Sequence, residues 1–244
     1  TPINLNYTHA QKITGLFWYN DNLITSSADG YIRNFAVSNS KIINQVKLPS
    51  KPNCIDLNLT KNIIAIGCDN GDIYTINLET FKETKIFSLN QSKITSISIN
   101  NDGDKLAYGS SKGIITMLTL GHKIIQNREL AAHTSTVIAL KFYPNSDFIA
   151  SAGHDGKIKI WNLKFDAQDE PPVIFSEHSG WVWDIDINKN GTQLVSGGKD
   201  RKVRTYELIQ ENFVKTIENN TNRNLTEAEW KRFVAKNGVI YEKT

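Results

Sequence analysis

Residues 148–162 read FIASAGHDGKIKIWN, and this stretch decides the fold. A dense apolar run ends in small residues, a polar turn follows at Asp155 and Gly156, and a second apolar run ends at Trp161. Two short apolar runs that flank a glycine-containing turn are typical of paired antiparallel strands. Consecutive small residues in the first run allow close packing where neighbouring sheets converge. We therefore expect a strand hairpin inside a packed all-β fold.

The same pattern recurs at a nearly fixed period. Its turn residues are Gly30, Gly71, Gly113, Gly156 and Arg201, which are separated by 41, 42, 43 and 45 residues. An alternating apolar run opens each copy, at Ile13 to Trp18, Pro52 to Leu57, Ile94 to Ile99, Val137 to Phe142 and Val182 to Ile187. Four antiparallel strands per ~42 residues is typical of a β-propeller blade. The sequence predicts a propeller domain over residues 1–218, with five recognisable four-stranded blades centred near 8–48, 49–90, 91–131, 132–176 and 177–218.

Polar residues at matching positions carry a family resemblance. In the fourth copy, His133, Ser151, Asp155 and Trp161 resemble the structural tetrad of WD-repeat propellers. The first copy has His9, Thr25, Asp29 and Phe35, and the fifth has His178, Ser196, Asp200 and Tyr206. The second and third copies have lost the polar set, with Leu48, Ile66, Asn70, Ile76 and Asn90, Tyr108, Lys112, Leu118 in its place. The resemblance implies that each intact set is a buried hydrogen-bond network that braces one blade.

Histidine, serine and aspartate at regular spacing also suggest a hydrolase triad. Three copies of the set in one chain favour the structural interpretation, because an enzyme needs one triad and a fold needs one brace per blade. The rival class is a propeller enzyme with a metal or cofactor in its channel, which requires clustered carboxylates or histidines; the sequence offers only isolated His154, His122 and Asp69. We therefore predict no catalytic, metal-binding or cofactor-binding residues, and no enzyme.

The resemblance also implies a partner-binding face around the channel, beside the histidine-bearing loops and the aspartate-bearing turns. The residues carried over to that face are Lys12, Lys51, Asp69, Lys93, His154, Trp181, Trp183 and Lys199. Trp181 and Trp183 are the strongest candidates, because exposed aromatics flanked by cations are typical interface anchors. Trp183 equally fits a place in the channel wall. The sequence therefore predicts a non-catalytic protein-interaction scaffold or sensor.

Composition restricts the partners and the compartment. The chain has 28 basic and 25 acidic residues, a net charge of +3, which makes nucleic acid an unexpected partner. No apolar run approaches the ~18 residues of a membrane-spanning helix. Cys54 and Cys68 are the only cysteines, so we expect no disulfide framework and a reducing, cytoplasmic environment. The chain begins at Thr1 without Met or a leader peptide, which we expect of a trimmed or partial chain.

The last 26 residues, 219–244, read as a linker and a helix. Thr226 and Glu229 form a capping box, and Leu225, Trp230 and Phe233 are its apolar residues. This helix either packs on the propeller or docks a partner. Its sequence resembles the C-terminus of large bacterial WD-repeat proteins with caspase-like or signal-transducing NTPase domains. That resemblance implies, as an alternative, a ligand-sensing regulatory domain of a bacterial signalling or defence protein.

The strand count predicts that the ring is not closed. Ile3 to Tyr7 reads as an outer strand, and Phe213 to Ile217 as the outer strand of the fifth blade, so five inner sets accompany six outer strands. A seven-bladed ring needs about two more blades, from missing sequence, a partner chain or self-association through open end blades. In the alternative, Ile3 to Tyr7 pairs with Val203 to Tyr206 and closes five blades.

Overall fold

A computed structural model of the chain describes residues 9–89, 92–121, 124–144, 147–164 and 171–208. Strands are the only regular secondary structure in these ranges. In chain order they are β1 (Ile13–Tyr19), β2 (Asn22–Ser27), β3 (Tyr31–Ala36), β4 (Lys41–Lys47), β5 (Pro52–Asn58), β6 (Ile63–Cys68), β7 (Asp72–Asn77), β8 (Glu83–Ser88), β9 (Ile94–Ile99), β10 (Lys105–Ser110), β11 (Ile114–Thr119), β12 (Ile125–Ala131), β13 (Val137–Phe142), β14 (Phe148–Gly153), β15 (Ile158–Asn162), β16 (Val173–Phe175), β17 (Val182–Ile187), β18 (Gln193–Gly198) and β19 (Val203–Glu207). A search of the same ranges finds no helix long and apolar enough to cross a membrane.

Each sheet consists of consecutive strands that pair antiparallel with their neighbours in the chain. Four sheets have four strands, β1–β4, β5–β8, β9–β12 and β13–β16, and the described part of the fifth has three, β17–β19. These are blades 1 to 5, and they confirm the predicted all-β propeller. The predicted strands at Ile3 to Tyr7 and Phe213 to Ile217 and the C-terminal helix lie outside the described residues.

The first strand of every blade begins with the same irregularity. In β5, Pro52 pairs with Cys68 and Cys54 with Gly67, so Asn53 is an extra residue on its strand. The other four first strands have the same register shift near their first residue. Such bulges bend a strand and increase its twist. The repeated bulge starts each blade at the same angle, which positions the loops that precede the first strands at one end of the fold.

The hydrophobic core lies between successive blades. Ile94, Ile97 and Leu106 of blade 3 share one buried cluster with Ala65 and Ile73 of blade 2. First strands pack in the order β1, β5, β9, β13 and β17, and no comparable packing joins β17 to β1 among the described residues. The five blades therefore form an arc. Residues from all five first strands line one central cavity of about 400 Å³.

Candidate functional site

The polar tetrad of blade 4 is assembled as a continuous hydrogen-bond chain. Asp155 lies 2.9 Å from Nδ1 of His133, and Nε2 of the same ring lies 2.9 Å from the Ser151 hydroxyl. The Trp161 indole N–H donates to that hydroxyl at 2.9 Å. Asp155 also accepts the backbone N–H groups of Thr134 and Lys157, which closes the turn. The network joins the loop before β13, strand β14 and the β14–β15 turn.

Burial determines the protonation of this network. Burial lowers the pKa of His133 and outweighs the raising effect of Asp155, which favours the neutral ring. Burial raises the pKa of Asp155, but the interaction with His133 and two backbone N–H donors outweigh it, and the net pKa is lowered. We assign the ring proton to Nδ1, where it is donated to Asp155, and the Ser151 hydroxyl then donates to Nε2. Ser151 is fully buried, so a substrate has no access to it.

Blades 1 and 5 use the predicted tetrads with an additional arginine. Nε2 of His9 lies 2.9 Å from Thr25, and Nε2 of His178 lies 2.8 Å from Ser196. Arg33 approaches Nδ1 of His9 at 2.7 Å and pairs with Asp29 at 3.0 Å. Arg204 does the same in blade 5, at 2.8 Å from both His178 and Asp200. The aromatic members also differ, because Phe35 contacts His9 edge-on and the Tyr206 hydroxyl donates to Glu177 at 3.4 Å.

The sequence analysis missed both arginines. Their signal was present in the sequence, because Arg33 and Arg204 each stand four residues after the tetrad aspartate. Spacing of four across a hairpin turn brings a cation beside the carboxylate, where a charge-assisted hydrogen bond forms.

Blade 2 replaces its lost tetrad with a network around Asp72, which the sequence analysis also missed. Asp72 accepts hydrogen bonds from Ser88 at 2.6 Å and from Asn70 at 2.9 Å, and Lys85 lies 2.7 Å away. Burial raises the pKa of this carboxyl, but these donors prevail and lower it to about 2. The apolar replacements Ile66 and Ile76 are fully buried beside it. Blade 2 is therefore braced from its third strand.

The residues predicted for the partner-binding face are distributed along the arc, from Lys12 before blade 1 to Lys199 in blade 5. In four blades, the residue two positions before the turn residue donates its backbone N–H to the residue before the first strand: Ala28 to Lys12, Asp69 to Lys51, His154 to Thr136 and Lys199 to Trp181. Side chains then link neighbouring blades. Asp69 of blade 2 forms an ion pair with Lys93, which precedes blade 3, at 2.9 Å. Lys12 and Lys51 are exposed.

The remaining four face residues form one cluster between blades 4 and 5, called the Trp181 cluster below. The His154 and Trp181 rings stack with centroids 4.3 Å apart and an interplanar angle of 16°. Trp183 meets both rings edge-on, at 5.6 Å from His154 and 5.4 Å from Trp181. Nζ of Lys199 lies 4.4 Å from the centroid of Trp181. Trp181 and Trp183 remain 40% and 48% exposed.

One atom in the Trp181 cluster has unused hydrogen-bonding capacity. Nε2 of His154 is buried and has no hydrogen-bond partner. Trp183 belongs to the same aromatic cluster, and 48% of it is exposed to solvent. The cluster therefore presents stacked aromatic surface and one cation within one patch.

The central cavity contains carboxylates that the sequence analysis did not single out. Asp56, Asp184 and Asp186 line it together with Lys141. Asp56 is 3.6 Å from Lys141 and accepts hydrogen bonds from Ser98 and the Ile99 backbone. Burial raises the pKa of Asp184. Within the described ranges, no three histidine, cysteine or acidic side chains are grouped as metal ligands would be.

Comparison with known proteins gives the following matches. The family described as "WD domain, G-beta repeat" matches residues 125–162 and 169–207. The chain is 26% identical over 151 residues to the Periodic tryptophan protein 2 homolog of Caenorhabditis elegans, covering 60% of this chain and 16% of that protein. It is 30% identical over 156 residues to the Anaphase-promoting complex subunit cdc20 of Dictyostelium discoideum, covering 63% and 30%. A solved structure titled "Structure of U3-55K" superposes with a TM-score of 0.73 at 17% identity, covering 83% of this chain and 63% of that chain.

These matches agree with the fold and correct one expectation. The matched repeats run from β12 to β15 and from β16 to β19, so they contain Ser151, Asp155 and Trp161 of blade 4 and the predicted tetrad of blade 5. The U3-55K structure shares the propeller fold. The chain spans less than a third of the length of the two relatives named above. Both relatives are eukaryotic, so the resemblance to bacterial proteins with caspase-like or NTPase domains finds no support. About twenty residues carried that resemblance, and they lie outside the described ranges.

Proposed function

Since the chain carries WD repeats within a β-propeller fold, we propose that it is a non-catalytic module that binds a protein partner through the Trp181 cluster. The observation that carries this proposal is the stacked pair of His154 and Trp181, flanked by Trp183 and Lys199 and open to solvent. Tryptophan is among the residues that most often dominate the binding energy of protein interfaces. The braces of blades 4 and 5 support the loops that present them.

Rigid presentation favours binding, because little conformational entropy is lost when a pre-organised surface docks. The His154 ring stacks across the boundary between two blades, so the cluster keeps its shape only if both blades keep their relative position. Each of the two blades has a complete tetrad. The tetrads of blades 4 and 5 therefore help to keep the Trp181 cluster in its binding arrangement.

The charge of the face supports a protein partner over nucleic acid. Lys93 is already paired with Asp69, and the Lys199 ammonium lies over an aromatic ring. Nucleic-acid interfaces instead need several unpaired cations that replace counterions along the phosphates. The name of one relative describes it as a subunit of a complex, which is in keeping with assembly by protein contacts.

We also propose that the protein works in a reducing compartment such as the cytoplasm. Cys54 and Cys68 are free thiols. Burial raises the pKa of both, to about 12 for Cys68, so neither forms the reactive thiolate at neutral pH.

The experiment uses a displayed library of random peptides as its probe. Peptides are selected on the full chain and their dissociation constants are measured by titration calorimetry. We expect Trp181→Ala and Trp183→Ala each to weaken the selected peptides at least tenfold. The matched control is Leu59→Ala, because Leu59 is another large exposed apolar residue, at 58%, and lies in the β5–β6 turn of blade 2.

Two results contradict the proposal. One is a set of selected peptides whose affinity is unchanged by the two cluster substitutions. The other is the recovery of no peptide that binds below about 100 µM. Melting temperatures of all three variants must match the parent within about 2 °C, because otherwise a loss of binding would report only a loss of fold.

A further inference from the structure

The outer face of blade 5 is an exception to the burial pattern of the other blades. Val195 on β18 is 39% exposed, whereas the residues at the same position, Ile24, Ala65, Ala107 and Ala150, are fully buried. Val203 on β19 is 76% exposed, and its equivalents Ile32, Ile73, Ile115 and Ile158 are at most 1% exposed. The repeat therefore places apolar residues on blade 5 where each preceding blade has a neighbour.

A glycine near these two valines in blade 5 also lacks the inter-blade contact that its equivalents make in the other blades. Gly67 and Gly109 hold this position in blades 2 and 3, and a Cβ there would collide with Ile94 and Val137, the first residues of the next blade's first strand. In blade 4, Ala152 shares a buried cluster with Val182, which begins β17. Gly197 is the equivalent in blade 5, and no atom of the described residues beyond its two chain neighbours lies within 4 Å of the position that its Cβ would take. Within the described part of the chain, this position is an open recess for one aliphatic side chain.

Polar groups on the same face match a blade interface that the chain already contains. In blade 2, Asp56 accepts the Ile99 backbone N–H at 3.0 Å, and Asn58 donates to the Asn100 carbonyl at 2.6 Å. These bonds hold blade 3 on blade 2. Asp186 occupies the position of Asp56 on β17. The amide of Asn188, at the position of Asn58, instead bonds Thr192 and Gln193 of its own turn. Blade 5 therefore repeats the acidic residue and the glycine by which blade 2 holds its neighbour.

Blade 1 exposes the complementary surface. Ile13 begins β1 and is 49% exposed, whereas its equivalents Ile94, Val137 and Val182 are fully buried against the preceding blade. Leu16 and Trp18 of the same strand are 56% and 64% exposed. A contiguous apolar surface of this kind marks an interaction site.

We propose that the open faces of blades 5 and 1 bind a pair of further WD-type blades that completes the ring. The first of these blades places an aliphatic residue over Gly197, between Val195 and Val203, and donates a backbone N–H to Asp186. The second receives Ile13 on a small residue of its second strand. The four interfaces between successive blades of this chain are the template for these contacts. The proposed binding role of the Trp181 cluster does not involve these two faces.

The size of the occupant follows from the superposition. The U3-55K chain has more than a third of its length outside the match, which corresponds to roughly two or three blades of this period. We therefore take a two-blade unit as the occupant, and the experiment below distinguishes it from a second copy of this chain.

The experiment extends the full chain with a duplicate of residues 91–176, blades 3 and 4, through a flexible Gly/Ser linker after Thr244. Blade 3 is chosen because blade 2 already binds it through Asp56 and Asn58. The reporter is Val195→Cys, whose alkylation rate is measured. The native thiols react slowly because burial raises the pKa of Cys54 and Cys68. We expect alkylation at position 195 to slow at least tenfold in the extended chain.

Two controls make the result specific. Gly197→Leu fills the recess, and we expect it to restore the fast alkylation of the extended chain. Lys202→Cys reports on an exposed turn of blade 5, and we expect no protection there, because the equivalent Lys157 stays exposed although blade 5 packs on blade 4.

Three outcomes overturn the proposal. The first is an equal alkylation rate at position 195 in the extended and parent chains, including the case in which the duplicate fails to fold on the face offered to it. The second is protection of position 195 in the parent chain as a monomer, which would mean that its own residues cover the face. The third is protection in the parent chain that rises with protein concentration together with its mass by light scattering, which would make a second copy the occupant.

Discussion

Gly67 lies directly against Ile94 of the next blade, so closely that a Cβ at position 67 would stand 2.8 Å from the Cβ of Ile94. This contact sets the distance between blades 2 and 3. A Cβ at the same position in blade 5, Gly197, would contact none of the residues that the structure describes beyond its two chain neighbours. Glycine at this repeat position is therefore required for packing in blade 2 and not in blade 5, and substitution by alanine should affect the two positions differently.

We expect Gly67→Ala to destabilise the chain by about 1–3 kcal/mol, because the added methyl overpacks a filled interface. Gly197→Ala is the matched control, and it should change stability by less than about 1 kcal/mol, with stabilisation favoured because alanine restricts the unfolded chain. Urea denaturation of both variants measures the difference. Equal losses in the two variants would contradict the interface described here.

The brace of blade 4 predicts a second stability effect. Replacing His133 or Asp155 by Ala should lower the free energy of unfolding by about 1–3 kcal/mol, because each substitution leaves a buried partner without its hydrogen bond. Asp69→Ala is the control, because it removes a half-exposed ion pair, and we expect a loss of at most about 1 kcal/mol. Thermal melts of His133→Ala and Asp155→Ala that match the parent would show that the brace does not contribute to stability.

Asp72 predicts a pH dependence. Burial raises its pKa, but hydrogen bonds from Lys85, Ser88 and Asn70 lower it to about 2 in the folded chain. The unfolded chain therefore binds this proton more readily, so the stabilisation is complete above pH about 4 and is lost as pH falls through about 2.

We expect Asp72→Asn to lower stability at pH 7 and to flatten its decline between pH 4 and 2. Denaturant midpoints at half-unit pH steps measure both effects. Asp21→Asn, in an exposed turn, should leave the slope unchanged. A parent-like slope in Asp72→Asn would assign the acid sensitivity to other carboxyls.

The buried position of Ser151 predicts the outcome of an activity test. The hydroxyl is fully buried and bonded to both His133 and Trp161. We expect Ser151→Ala to reduce stability and to leave hydrolysis of generic ester, peptide and phosphate substrates at the background of the parent. Hydrolysis that is present in the parent and abolished in a folded Ser151→Ala variant would overturn the non-catalytic assignment.

Most of the blade architecture could be predicted from the sequence. The runs Ile94 to Ile99, Val137 to Phe142 and Val182 to Ile187 match the bounds of β9, β13 and β17. The alternation of apolar residues and the turn residues are local features of the sequence. They recur five times at a nearly constant period, so each copy supports the strand bounds of the others. The bracing role of the tetrads and the binding role of the face remain predictions, although the structure brings the polar members of each tetrad together and groups four of the face residues in the Trp181 cluster.

Contacts between repeats could not be predicted in the same way. The stacking of Trp181 on His154, the pairing of Asp69 with Lys93 and the placement of Asp56 beside Lys141 each join different blades. Sequence position alone gives no distance between side chains from two repeats. Arg33 and Lys85 were missed for a related reason, because the resemblance assigns roles only to the positions of the family pattern.

The sequence by itself determined the all-β repeat, its period, its strands and the residues of the tetrads, because hydrophobic alternation and turn chemistry act over a few neighbouring residues. Only the tertiary structure decided which of the repeated positions pack against a neighbouring blade. Gly67 and Gly197 are alike in the sequence, and so are Ile94 and Ile13, yet one of each pair is packed and the other is open. The reason is that burial depends on a neighbouring blade, and within the described ranges the blades at the two ends of the arc each pack against one blade instead of two.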